Sequence, residues 1–343
     1  MTFRPMVPFA VARASQPELL ARAVGVIGDQ VRAQAADGRF RGPGPIMVGI
    51  GASLSAACAP IWVLRSRGIH AWRLGAGDHP LPWPASVHPV MGVSQSGRSP
   101  ETIAVLESVE RSQRYAVSNM CPSPLTDVAD ASLSLGNVPD SYASTVGYTA
   151  TVMGLGMIAD AWDGGTIDAA WTDLPAFLRL TASMVEARAA DLAGAFEGAT
   201  SADFVAAGPS VGSAEGAALL LREVARLPST AMSTRQYLHG SMESAGHSVH
   251  VVMGDDRELE VCRTLSEAGH RVILLTTQDV PETRTLQVVR IPSLPPAPRA
   301  IVEALAMQTV VGEVARQRGV PVEEFVFHNP DTKVETAEVL APG

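Results

Sequence analysis

Apolar residues recur at helical spacing over 16–37, where Leu19, Leu20, Ala23, Val24, Ile27 and Val31 fall on one face. After the Gly42-Pro-Gly-Pro45 break, residues 46–50 read as a buried strand. It feeds the turn Gly49-Ile-Gly-Ala-Ser53 and a helix to about 67. A short strand at 72–74, a proline-rich loop over 80–89 and a strand at 90–93 come next. A strand at 115–118, a short helix after Ser123, a strand near 131–135 and a long apolar helix at 149–162 complete this half. Apolar strands alternating with helices predict a parallel sheet covered on both faces.

The pattern then starts again. Residues 163–175 bracket a linker, and an amphipathic helix is predicted over 175–193. Strands at 204–207, 249–253, 271–276 and 287–291 alternate with helices at 214–226, 258–268 and 300–318. Gly208-Pro-Ser-Val-Gly-Ser213 matches Gly49-Ile-Gly-Ala-Ser53, which indicates an internal duplication. The expected organisation is an N-terminal segment and helix (1–40), a first α/β domain (41–165), a connecting helix (166–198), a second α/β domain (199–325) and a tail (326–343).

Composition narrows the function classes. The 343-residue chain is 46% hydrophobic and 18% charged, as expected of a globular protein with a large core. Its net charge of −9, with no basic run, argues against nucleic acid or an anionic membrane as partner. Cys58, Cys121 and Cys262 are far apart and form no C-x-x-C, predicting a reducing compartment and no structural metal. No signal-peptide pattern opens the sequence, so a cytoplasmic location is expected. Arginine supplies nearly all the positive charge: Lys333 is the only lysine among 26 basic residues. Lysine, unlike arginine, can lose its proton and form a Schiff base.

The stretch Ser94-Gln-Ser-Gly-Arg-Ser-Pro-Glu-Thr102 carries the strongest chemical signal. It packs three hydroxyls, an amide and a glycine into the six positions between a strand and a helix start. Free backbone amides and the positive end of a helix dipole suit such a loop to an anion. It has no lysine, so it is not a Walker loop. Further along, Glu223 lies on a mostly apolar helix, where a carboxylate is either paired with Arg222 or Arg226 or desolvated and basic. His239, in Leu-His-Gly, suits proton transfer or a structural hydrogen bond. Glu215 and Asp140, near loop-to-helix junctions, fit helix-dipole partners.

In order, these pieces resemble the tandem sugar isomerase (SIS) domain family. The closest pattern is the isomerase half of glucosamine-6-phosphate synthase and the stand-alone aminosugar-6-phosphate deaminases and isomerases. Ser94–Thr102 is similar to that family's S-Q-S-G-x-[ST]-x-[DE]-T loop, and Gly51-Ala-Ser53 to its G-[TS]-S turn. Ala143-Ser-Thr145, Leu221-Arg-Glu223, Leu238-His-Gly240 and the tail 329–336 resemble its later motifs.

The resemblance implies two tandem SIS domains, each a flavodoxin-like three-layer α/β/α sandwich with a mainly parallel sheet. It implies that Ser53, Ser94, Gln95, Ser96 and Ser99 bind a sugar phosphate, with Gly51, Ala143, Ser144 and Thr145 adding weaker contacts. Glu223 would move a proton between C1 and C2, His239 would assist ring opening from the neighbouring subunit of a homodimer, and Lys333 would contact the carbonyl end. No cofactor is implied. Val146 stands where the family has a lysine, and Glu215 is one position out of step with its upstream acid. No glutamine-hydrolysing domain precedes the first motif, and Met1-Thr2 offers no cysteine nucleophile, so a glutamine-independent enzyme is expected. The expected activity is aminosugar-6-phosphate isomerase or deaminase. A ketosamine-6-phosphate deglycase and a non-catalytic sugar-phosphate-binding regulator are the alternatives.

Overall fold

The structure is a computed structural model and describes residues 6–327 and 329–334. The tail motif's Glu335 and Thr336 lie outside the described residues. A short helix α1 (Phe9–Ala14) and the long α2 (Gln16–Ala36) precede the first sheet. That half runs β1 (Ile46–Gly49), α3 (Ala52–Ala56), α4 (Cys58–Ser66), β2 (Trp72–Gly75), β3 (Val90–Val93), α5 (Pro100–Glu107), β4 (Arg114–Ser118), α6 (Pro124–Val128), β5 (Ala131–Ser134) and α7 (Val146–Ala161). Helices α8 (Ala170–Glu186) and α9 (Ala189–Gly194) lead to the second half. This contains β6 (Ser201–Ala206), α10 (Val211–Ala225), β7 (Ser229–Ser233), α11 (Thr234–Leu238), β8 (Ser248–Met253), α12 (Arg257–Glu267), β9 (Arg271–Thr276), β10 (Leu286–Arg290) and α13 (Pro296–Gln317).

Each half forms a five-stranded, all-parallel sheet. The orders are β2-β1-β3-β4-β5 and β7-β6-β8-β9-β10, the same arrangement twice. The chain therefore reverses direction across each sheet between its first and third strands. In open parallel sheets this switch point is where loops diverge and leave a crevice.

Helices α7 and α13 are buried almost all round, because they lie in the middle of the molecule. A helix apolar on every face has no solvent side to offer. One continuous hydrophobic cluster runs from Leu20 and Met47 through Leu155 and Leu221 to Val251 and Ile301, joining the two halves. Among the described residues no helix is long and apolar enough to cross a membrane.

Two local expectations change. The connecting helix begins at Ala170 rather than at Pro175, which lies inside it. Its first turn is pinned because Trp171 is buried and donates its indole N–H to Asp160 at 2.7 Å. Strand β7 and helix α11 escape the apolar pattern, since β7 (Ser-Thr-Ala-Met-Ser) is a polar edge strand. At the start of α2, Gln16 is fully buried, donates to Gln308 Oε1 at 2.6 Å and accepts from Thr149 Oγ1 at 2.7 Å.

Candidate functional site

The first switch point opens into a cavity of about 410 Å³. The turn after β1 and the start of α3 supply Gly51 and Ser53, and the loop after β3 supplies Ser94, Gln95, Ser96 and Ser99. Gly51 has φ +56°, a conformation that favours glycine. Gly97 has φ +63°, and a Cβ there would sit 2.1 Å from Ser123 Oγ, so only glycine fits.

The carbonyls of the β3 loop are held from behind. Gln95 O accepts from Asn119 N and Met120 N, and Gly97 O accepts from Leu125 N. The Gln95, Ser96 and Ser99 amides have no acceptor among the described residues. Ser94 Oγ and Ser99 Oγ are 3.1 Å apart, so Ser99 does not cap α5 with its side chain. The result is a rigid loop with spare donors at a helix N-terminus, a ready anion site.

Of the Ala143-Ser-Thr145 motif only Ser144 reaches the cavity. Ala143 and Thr145 are buried behind it. Ser144 and Thr145 are organised by Asp140, which accepts from Ser141 N, Ser144 Oγ, Thr145 N, Thr145 Oγ1 and Gly147 N at 2.6–3.0 Å. Burial raises the Asp140 pKa, and these hydrogen bonds oppose the rise. The sequence marks Asp140 only as a helix-dipole acid; the Asp-x-x-x-Ser-Thr spacing was the available signal for a capping hub.

The other wall comes from α10, α13 and the tail. Glu223 on α10 points into the same cavity. Among the described residues it has no hydrogen-bond or ion-pair partner. Arg222 turns instead to Ser229 O, with Nε donating at 2.7 Å, so neither expected surface pair forms. Desolvation pushes the Glu223 pKa up to about 7. A carboxylate so tuned is half ionised near neutral pH and can both take and return a proton. Glu215, by contrast, is held by Arg73 through two hydrogen bonds of 2.5 and 2.7 Å, outside this cavity.

The tail folds back over the opening. Glu323 accepts from Phe9 N, Phe325 packs edge-on to Tyr142 with ring centroids 4.5 Å apart, and Val334 is clipped to Arg98. Arg98 Nε donates to Val334 O at 2.6 Å and Arg98 O accepts from Val334 N at 2.9 Å. Arg98 thus bridges the β3 loop and the tail. Thr332 and Lys333 consequently line the cavity. Desolvation lowers the Lys333 pKa, Glu101 opposes this and Arg98 adds to it.

His239 lies elsewhere. It follows α11 on the surface of the second half and is exposed, outside the cavity of its own chain. Tyr142, Tyr148, Gln308 and Phe325 line the cavity without having been singled out in sequence. They are ordinary core-type residues until the fold places them.

Neither a protein-family model nor a curated protein sequence matches the chain. Solved structures do match. The C-terminal domain of glucosamine-fructose-6-phosphate aminotransferase from Francisella tularensis superposes with a TM-score of 0.80 at 16% identity, covering 94% of this chain and 100% of that one. Tagatose-6-phosphate ketose/aldose isomerase from Escherichia coli gives 0.76 at 16%, covering 95% and 99%. Glucosamine-6-phosphate deaminase from Thermotoga maritima gives 0.70 at 16%, covering 93% and 99%. The chain therefore has the fold of these proteins, a pair of parallel α/β sheets repeated over nearly its whole length.

Proposed function

We propose that the chain is a phosphosugar isomerase of the tandem SIS type that acts on an aminosugar 6-phosphate. One observation carries this reading: a single cavity has a hydroxyl-rich loop with spare amides at one wall and an unpaired, desolvated carboxylate at another. The fold shared with sugar-phosphate isomerases and a deaminase supports it. So does the second use of the same strand order, which fits two SIS units.

In this reading Ser53, Ser94, Gln95, Ser96 and Ser99 hold the phosphate. Glu223 takes the proton from C2 of the open-chain aldose and returns it to C1. With an amine on C2, this leaves a ketimine; water adds across the C=N bond and ammonia departs. Lys333 serves the carbonyl end as hydrogen-bond donor. His239, exposed on its own chain, reaches the site of a second copy in a homodimer and assists ring opening.

The test is ammonia release, with wash-in of deuterium at C2, over a panel of hexose and hexosamine 6-phosphates. The Glu223→Gln protein serves as control. Binding of glucosamine 6-phosphate without any exchange would replace the enzyme reading with that of a sugar-phosphate-binding regulator.

A further inference from the structure

Gln308 is unlike the other polar residues of the first cavity. It comes from α13, in the second half, and is only 3% exposed, yet it lines the cavity. Behind it runs a chain of buried side chains from three separate elements: Gln308 on α13, Gln16 at the start of α2 and Thr149 on α7. Gln16 Nε2 donates to Gln308 Oε1 at 2.6 Å, and Thr149 Oγ1 donates to Gln16 Oε1 at 2.7 Å.

Backbone carbonyls, which can only accept, fix the direction of this chain at both ends. Gln16 Nε2 also donates to Arg13 O at 3.2 Å, so the Gln16 amide cannot be turned over. Gln308 must then present Oε1 to Gln16, and its Nε2 donates to Thr145 O at 3.3 Å. That carbonyl already accepts from Thr149 N at 3.2 Å in the first turn of α7. One N–H of Gln308 makes this long, shared bond. The other has no acceptor among the described residues, and buried donors rarely go without one. The amide therefore offers the cavity nitrogen and keeps its oxygen turned to Gln16. A neutral donor of this kind suits a hydroxyl or carbonyl oxygen and rejects an ammonium group, which brings only donors.

We propose that Gln308 is a specificity-determining residue, donating to one hydroxyl oxygen of the bound sugar, and that Gln16 is the positioning residue that holds its amide in that sense. This rests on the phosphosugar reading above and deepens it. In that reading the phosphate on C6 sits in the β3 loop and C1 and C2 face Glu223. The hydroxyl that Gln308 meets is therefore on C3, C4 or C5. Those are the centres at which hexose phosphates of one formula differ in configuration, without any difference in charge or size. A donor of fixed direction separates two such epimers, because the wrong one carries its oxygen out of reach and leaves the donor unpaired. The chain also ties this choice to α2, although no residue of α2 lines the cavity.

The experiment uses the alditol of glucosamine 6-phosphate, an open chain that cannot turn over, and its 3-, 4- and 5-deoxy analogues. Calorimetry on the parent protein gives three affinity gaps between the alditol and its analogues. One gap is expected to be about ten-fold. In Gln308→Met that gap should close while the other two stay as they were. Gln16→Met, which frees the Gln308 amide to turn, should narrow the same gap and no other. The double variant Gln16→Met with Gln308→Met removes both partners of the buried 2.6 Å bond and leaves neither unsatisfied. It should repeat the Gln308→Met pattern even where a single variant fails to fold. Gaps that are unchanged in the Gln308 variants, or that all shrink together, would overturn the assignment while the phosphosugar reading stands. Failure of the parent protein to bind any of the four alditols would overturn that reading and the assignment with it.

Discussion

The two halves have the same strand order, yet their switch points are put to opposite uses. In the first, the loops after β1 and β3 offer hydroxyls and amides to an open cavity. In the second, the loops after β6 and β8 bring Ser210 and Asp255 to Arg299 and Glu303 of α13. Arg299 Nε donates to Glu303 Oε1 at 2.8 Å, Ser210 Oγ donates to the same oxygen at 2.8 Å, and Arg299 Nη1 bonds Asp255 Oδ2. Asp255 also accepts from Thr276 Oγ1 and Thr277 N at 2.7 Å each. Protein charges occupy the crevice that the first half leaves open. One topology thus holds either an open, hydroxyl-lined cavity or an internal ionic tie. The loop residues decide which, as expected if function belongs to sites and not to folds.

The sharpest way to break this comparison is Glu223→Gln. A general base contributes on the order of 10²–10⁴-fold, so kcat should fall by about 10³ with little change in phosphosugar affinity. In the parent protein, kcat/KM should rise with pH through about 7, because the base must be ionised. Stability should move the opposite way. A carboxyl whose folded pKa is raised from 4.5 to about 7 binds its proton more tightly when native, so stability falls as pH rises across that window and is level above it. Glu223→Gln removes that fall, a gain on the order of 3 kcal/mol at pH 8. An inactive variant no more stable than the parent at pH 8 would mean Glu223 is not desolvated as described.

The corresponding change in the second half is Arg299→Met. It leaves Glu303, which is fully buried, without its cation. Breaking a buried pair from one side costs about 3–5 kcal/mol, to be read as a drop in the urea midpoint. Arg299→Met with Glu303→Leu should recover much of that loss. The Asp255 carboxyl lies near 2, held down against burial by Arg299 and by its threonine hydrogen bonds. Its contribution is therefore present above about pH 4 and lost as pH falls through 2; Asp255→Asn should flatten that acid limb. If Arg299→Met leaves stability intact but abolishes ligand binding, the second crevice is itself a site and the contrast fails.

Substitutions in the two sets of loops should separate binding from stability. Ser96→Ala is expected to raise KM by about ten-fold or more with kcat nearly unchanged, as for loss of a charge-assisted hydrogen bond. Asp255→Asn at pH 7 should leave KM as it was. A KM that responds equally to both would place the phosphate elsewhere.

The contrast also separates what the residues alone could reveal. The β3 loop is legible because its chemistry is contiguous: Ser94, Gln95, Ser96 and Ser99 are neighbours in sequence and line one cavity. Lys333 stands out because every other basic residue is arginine. The tie in the second half is illegible, since Ser210, Asp255 and Arg299 meet only through the fold. Strand β7 is missed because edge strands need no apolar face, and α1 because six residues show too little periodicity. The freedom of Glu223 is likewise a tertiary fact: sequence places two arginines beside it, and among the described residues neither pairs with it.

The smallest expected effect concerns how the tail is kept over the first crevice, for which the second half has no counterpart among the described residues. Arg98→Ala removes the 2.6 Å bond to Val334 O and leaves the backbone bond to Val334 N. Loss of one partly exposed hydrogen bond to a charged donor is worth about 1 kcal/mol, or roughly five-fold in the fraction of tail that opens. The sequence supplies its own readout. A lysine-specific endoprotease has one site in the chain, Lys333, and cleavage there requires the tail to leave the cavity. Cleavage should be about five-fold faster in Arg98→Ala and should slow when a sugar phosphate fills the β3 loop, because that loop and the tail share Arg98. Arg98→Lys, which keeps the charge but shortens the reach and loses the fork, should behave like the alanine variant. If cleavage is unchanged in both variants, Phe325 against Tyr142 and Glu323 against Phe9 N suffice to hold the tail, and Arg98 acts only on the charge around Lys333.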